Sequence, residues 1–120
     1  MKISASTGIA IATVGIALAS FSLSARAECA YPKAPAVMPD GKSASEAEML
    51  EAMRAFKDYN EQVTQFGTCL EQETKSKASS TAQLMQLKTL QMKKHNAAVD
   101  ELQTKAKQFN EQVRIYKTRA

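Results

Sequence analysis

The chain has 120 residues, 44% of them hydrophobic and 23% charged, with two cysteines, one histidine, no tryptophan and a formal net charge of +4. This is enough for one small domain and too little for a multi-domain enzyme. With four glycines in all, no Gly-rich phosphate cradle, nucleophile elbow or zinc-type cysteine spacing is present.

Lys2 is followed by an uncharged stretch from Ile3 to Ala25, whose apolar middle, Ile9 to Leu23, leads into Ala25-Arg26-Ala27. A basic start, an apolar middle and a small-x-small site predict a signal peptide over residues 1–27, a mature chain starting near Glu28, and a periplasmic or secreted protein. Retention as an anchor is the alternative, because an uncharged run of this length can span a bilayer. Glu28 precedes Cys29, where a lipidated cysteine would need a small neighbour. The charge also reads differently without the leader. Residues 28–120 carry 14 basic and 12 acidic side chains, net +2, divided into an acidic half (28–74, net −5) and a basic half (75–120, net +7). Such polarity favours the two halves lying together, and it leaves a basic surface able to meet an anionic partner.

Residues 28–43 hold all three prolines, Pro32, Pro35 and Pro39, followed by Asp40-Gly41. Fixed φ angles and missing donors predict an extended arm that turns at Pro39-Asp40-Gly41. The helical hairpin is placed over 44–120. Ser45-Glu46-Ala47-Glu48 is a capping box, and Met49, Ala52, Phe56, Tyr59, Val63, Phe66 and Leu70 then recur at steps of three and four, a coiled-coil-like seam. Gly67 costs about 1 kcal/mol against alanine within a helix, unless it admits close approach of the arm. The polar run Lys75 to Thr81 is the predicted reversal. A second helix follows from about Thr81 to Lys117, with a broad apolar start (Leu84, Met85, Leu87, Leu90, Met92) and a cleaner seam of Val99, Leu102, Ala106, Phe109, Val113 and Tyr116. Glu71 with Lys75, Glu73 with Lys77 and Glu101 with Lys105 have the favourable i,i+4 order. So short a connection makes the helices antiparallel, and a reversal near residue 78 sets Leu70 opposite Met85 and Met49 opposite Ala106 or Lys107.

In an oxidising compartment the cysteines pair as Cys29–Cys69, against the alternatives of free thiols or intermolecular bridges. The arm is long enough: 15 extended residues span roughly 46 Å, against roughly 37 Å along the helix from Ala44 to Cys69. It would lie beside the first helix with Tyr31, Val37 and Met38 in the interhelical groove. The expected fold is thus all-α, an antiparallel two-helix hairpin with an extended N-terminal arm stapled by a disulfide. Two helices bury little surface, so arm, staple or a homodimer must add cover.

Functional chemistry is sparse. His95 falls near the second seam with no nucleophile or acid converging on it, so no catalytic residue is assigned. Met92 and His95 share a face, too few donors for a closed metal site; no metal and no cofactor is expected. The lysines of the second helix are scattered without stacking aromatics, against nucleic-acid binding. Phe109, Val113 and Tyr116 form the candidate partner surface unless the arm covers them.

Pro39-Asp40-Gly41, Ala44-Ser45, Glu48-Met49, Lys57-x-Tyr59, Cys69-Leu70-Glu71, His95-Asn96 and the run Phe109 to Lys117 resemble a group of small secreted proteobacterial helical proteins of uncharacterised function, with Gly67 standing where the group has a larger apolar residue. The resemblance covers nearly all of the chain beyond residue 27 and implies export and helical architecture; it carries no activity and no site residues. The function expected is a non-catalytic exported interaction module of the cell envelope, chaperone-like in one version, its partner an envelope protein. The alternative is a peripheral binder of anionic lipid or lipopolysaccharide through the basic second helix.

Overall fold

A computed structural model describes residues 28–120; the predicted signal peptide, 1–27, lies outside the described residues. Two helices, α1 (Glu46–Lys77) and α2 (Thr81–Thr118), form an antiparallel hairpin, and an extended arm preceding α1 is bonded to it by a Cys29–Cys69 disulfide with Cα atoms 5.8 Å apart.

The start of α1 follows from its capping box. The Ser45 hydroxyl accepts from the Glu48 amide at 3.1 Å, and the Glu48 carboxylate accepts from the Ser45 amide at 2.6 Å, so two otherwise orphaned donors are satisfied. Donation from the Ser45 backbone amide is the main cause holding the Glu48 carboxyl below its ordinary pKa. The helix runs further than serine content alone implies: Lys75, Ser76 and Lys77 belong to it, and the reversal shrinks to residues 78–80. Lys75 donates to Glu71 at 2.9 Å and Lys77 to Glu73 at 2.5 Å, placing cations where the C-terminal end of a helix favours them. Ser80 then caps α2, its hydroxyl accepting from Gln83.

Every residue of the predicted first seam, Met49 through Leu70, is buried, and Thr74 extends it by one turn. Phe56 stacks on Phe109 of α2 with centroids 4.7 Å apart. Tyr59, at 1% exposure, is the most enclosed large side chain. α2 buries only Ala98 and Phe109, with Val99, Leu102, Val113 and Tyr116 half-buried beside them.

The axial register differs from the predicted one by about two helical turns. Gly67 lies against the His95 ring and Phe56 against Phe109, so Leu70 faces Leu87 to Lys94, not Met85, which is 67% exposed. The seam pattern specifies which face is buried; the offset is set by where a ring finds a gap, and Gly67 provides it. That glycine therefore admits α2, not the arm.

The arm returns along α1 as expected but buries different residues. Pro32 and Pro39 are buried and Met38 is half-buried, whereas Val37 is 75% exposed. Tyr31 sets its ring edge-on to Phe66 at 5.4 Å and donates its hydroxyl to Glu101 of α2 at 3.1 Å, so it straddles both helices with half its surface in water. The turn falls at Asp40–Ala44: the Asp40 carbonyl accepts from Ser43 and Ala44, and its carboxylate from Lys42. Gly41 has no positive φ. Its role is proximity, because a Cβ there would collide with the Gln112 carbonyl oxygen of α2. The Gly41 amide donates to the Gln112 side chain at 2.8 Å, and Arg119 stacks on Tyr116 and donates to the Ala44 carbonyl at 2.7 Å. These contacts knit the end of α2 to the start of α1.

Candidate functional site

The groove between the helices has two sides, treated very differently. One is filled by the arm. The other is an open trough of about 900 Å³ running from Phe56 and Phe109 at one end to Glu71 and Gln91 at the other. Its floor is apolar: Val63, Val99, Leu102 and Ala106 lie between the stacked rings and the Gly67–His95 contact. Its rims are amides and hydroxyls, including Asn60, Thr64 and Thr68 on α1 and Gln91, Gln103 and Asn110 on α2.

Charge is distributed unevenly around this trough. α2 carries ten charged side chains, yet none lines it. On the α1 side there are two, Lys57 and Glu71, one toward each end. A trough with an apolar floor, no charge along one wall and hydrogen-bonding groups at its margins has the composition of an interface core with a polar rim.

The trough also has an apolar extension that the broad start of the second seam obscured. Met85, Met92, Val99, Ala106 and Val113 recur at seven-residue intervals along α2. The last three are half-buried, while Met85 and Met92 are 67% and 62% exposed. The series is the a-type row of a coiled coil whose other row, Leu102, Phe109 and Tyr116, packs on α1. α1 packs on the second row and meets the first at Val99 and Val113, and it leaves Met85 and Met92 uncovered.

The predicted partner residues are placed as follows. Phe109 is 7% exposed, stacked on Phe56, and so belongs to the core; Val113 and Tyr116 are half-buried against it. Phe109 therefore offers no face to a partner, because the register shift sets it opposite Phe56, ten residues into α1. His95 is half-buried with its ring over Gly67, a packing position; among the described residues it makes no side-chain hydrogen bond or ion pair. Among the described residues no group of three or more His, Cys, Asp or Glu side chains is placed to hold a metal ion, and no helix is long and apolar enough to cross a membrane.

The basic half is less basic in space than in sequence. Arg114 is held by Glu111 at 3.0 Å. Lys77 is paired with Glu73, and Lys94 and Lys88 face Glu73 and Glu71. On the arm side, Glu101 lies between two phenols. Burial, then the hydrogen bond and charge of Glu101, raise the Tyr31 pKa; burial, then the charge of Glu101 and the neighbouring Tyr31, raise that of Tyr59. Both phenols stay neutral at ordinary pH and act as packing groups with a polar tip. Comparison of the chain with protein-family models, curated proteins and solved structures finds no match.

Proposed function

We propose that the protein is a non-catalytic, exported interaction module of the cell envelope whose working surface is the open trough of the hairpin. The observation that carries this reading is the pairing of an apolar floor with a rim free of charge on the α2 side. A solvated helix face exposes charge by default, and α2 does so everywhere else. Export rests on the basic-apolar-small pattern of residues 1–27 and agrees with a stapled arm on a thin hairpin. Catalysis would need titratable groups converging on one cavity, and the trough gathers only Lys57, Glu71 and His95, spread along its length.

Photo-crosslinking in intact cells from a probe at Gln103, with a control probe at Ala36 on the arm, tests the reading. Specific products from Gln103 and none from Ala36 are expected, and they persist in moderate salt because the surface is not electrostatic. Products from neither position overturn the reading. Envelope association that vanishes in moderate salt, with no Gln103 product, would transfer the function to anionic lipid or lipopolysaccharide.

A further inference from the structure

The trough has a symmetry that identifies its occupant. Thr64 lies three residues before Gly67, and Val99 four after His95; since Gly67 and His95 touch, Thr64 and Val99 stand at nearly the same level along the hairpin. About that level the surface is self-complementary. On α1, Lys57 and Glu71 lie seven residues to either side of Thr64, about 10 Å each way. On α2, Met92 and Ala106 lie seven residues to either side of Val99, and Met85 and Val113 fourteen. A two-fold axis perpendicular to the helices at this level brings Lys57 of each copy to Glu71 of the other, each exposed methionine onto a smaller side chain, and Val99 onto its own counterpart.

We propose that the trough is filled by a second copy of this chain, docked end for end, so that two hairpins form an antiparallel four-helix bundle with the arms outside. The inference deepens the proposed function and rests on it, since it names the occupant of the same surface. The dyad accounts for three observations at once. Met85 and Met92, exposed at 67% and 62% in the single chain, become core. Lys57, which makes no ion pair among the described residues, gains one. The Glu71 carboxylate, whose Oε1 already accepts from Lys75, uses its other oxygen. A closed isologous contact also needs a wall without like charges facing each other across the axis, and α2 supplies it. The face is large enough: from Met85 to Val113 is about 42 Å, and two helices abreast are roughly 20 Å wide, which matches the roughly 800 Å² per partner of a stable interface.

Sedimentation equilibrium on the oxidised protein tests the proposal, with far-UV circular dichroism and thermal unfolding of each variant to show that the hairpin persists. The expected mass is twice that of the chain at about 100 μM. Met92→Glu, at a position exposed in the single chain, raises the dissociation constant by about tenfold or more with helicity unchanged. Lys57→Glu and Glu71→Lys each weaken the dimer by about tenfold, and the double variant returns to within about threefold of the original. Rescue of this kind requires the two residues to meet across the dyad. A monomer throughout the concentration range, or single charge reversals without effect, overturns the proposal. The Gln103 crosslink separates the two claims: its product with another protein, on a monomeric chain, leaves the proposed function standing and removes the dimer, whereas absence of any product removes both.

Discussion

The two helices are of similar length and mean hydropathy, but α1 buries eight of its 32 residues and α2 two of its 38. The difference lies in their neighbours. α1 has α2 on one flank and the arm along much of another, so a single seven-residue seam is enclosed from both sides. α2 meets α1 along one edge and the arm at isolated points such as Tyr31 and Gly41. α1 is the spine on which the rest is hung, and α2 is the side that still has apolar surface to cover.

The largest expected effect removes what encloses the spine. Replacing Cys29 and Cys69 by serine should cost about 4 kcal/mol on the loop-entropy account, because the bond spans a sequence separation of 40 residues. Urea unfolding at matched pH reads this, and a loss below about 1 kcal/mol would mean that the arm is held by contacts alone. Next, Phe109→Ala should cost about 3 kcal/mol, since this ring is the one large side chain of α2 that is fully buried. Val37→Ala, on a side chain 75% exposed, should stay within about 0.5 kcal/mol; equal effects would erase the contrast between seated and exposed positions.

How far this contrast was legible in the sequence depends on the scale of the interaction. The capping box, the α1 seam and the cysteine pairing follow from local chemistry and chain length, and each is found where residues 29, 45 and 49–70 place it. The helix offset is not local. A seam fixes the rotation of a helix about its axis, while sliding by two turns keeps apolar residues opposite apolar residues; the Gly67–His95 fit decides among those positions, and neither residue signals its partner. Val37 and Pro39 show the same limit, for an extended arm alternates faces and only the actual turn at Asp40 tells which face is inward. The trough lay hidden for a related reason: Met85 and Met92 belong to a broad apolar run, and the absence of charge along one wall is visible only once the helix is paired.

The register itself gives a sharper, smaller prediction. Gly67→Ala gains about 1 kcal/mol of helix propensity but forces a methyl carbon to 2.7 Å from His95 Nε2, so its net effect should be near zero or destabilising. In a His95→Ala background the same change should stabilise by about 1 kcal/mol, and the coupling between the two sites is measured by a double-mutant cycle. Additive effects would mean that the offset is set elsewhere. Smallest is the alkaline limb. Tyr31 and Tyr59 have phenols raised above their unfolded value, so their contribution is complete below about pH 10 and is lost as pH rises through the folded pKa values. Thermal unfolding across that range should show stability falling, and Tyr31→Phe should flatten part of the fall.

The Arg119 clasp has a temporal consequence. The cysteine pair and the whole of α1 are complete once residue 77 has been made, so the arm can be sealed to the spine before any of α2 exists. The guanidinium that reaches the Ala44 carbonyl belongs to residue 119, beyond the last turn of α2, so the far end of α2 cannot be fastened until the whole helix has emerged. Emergence in chain order therefore separates covalent closure from final zippering, and a variant without the Arg119 guanidinium would be sealed yet never latched.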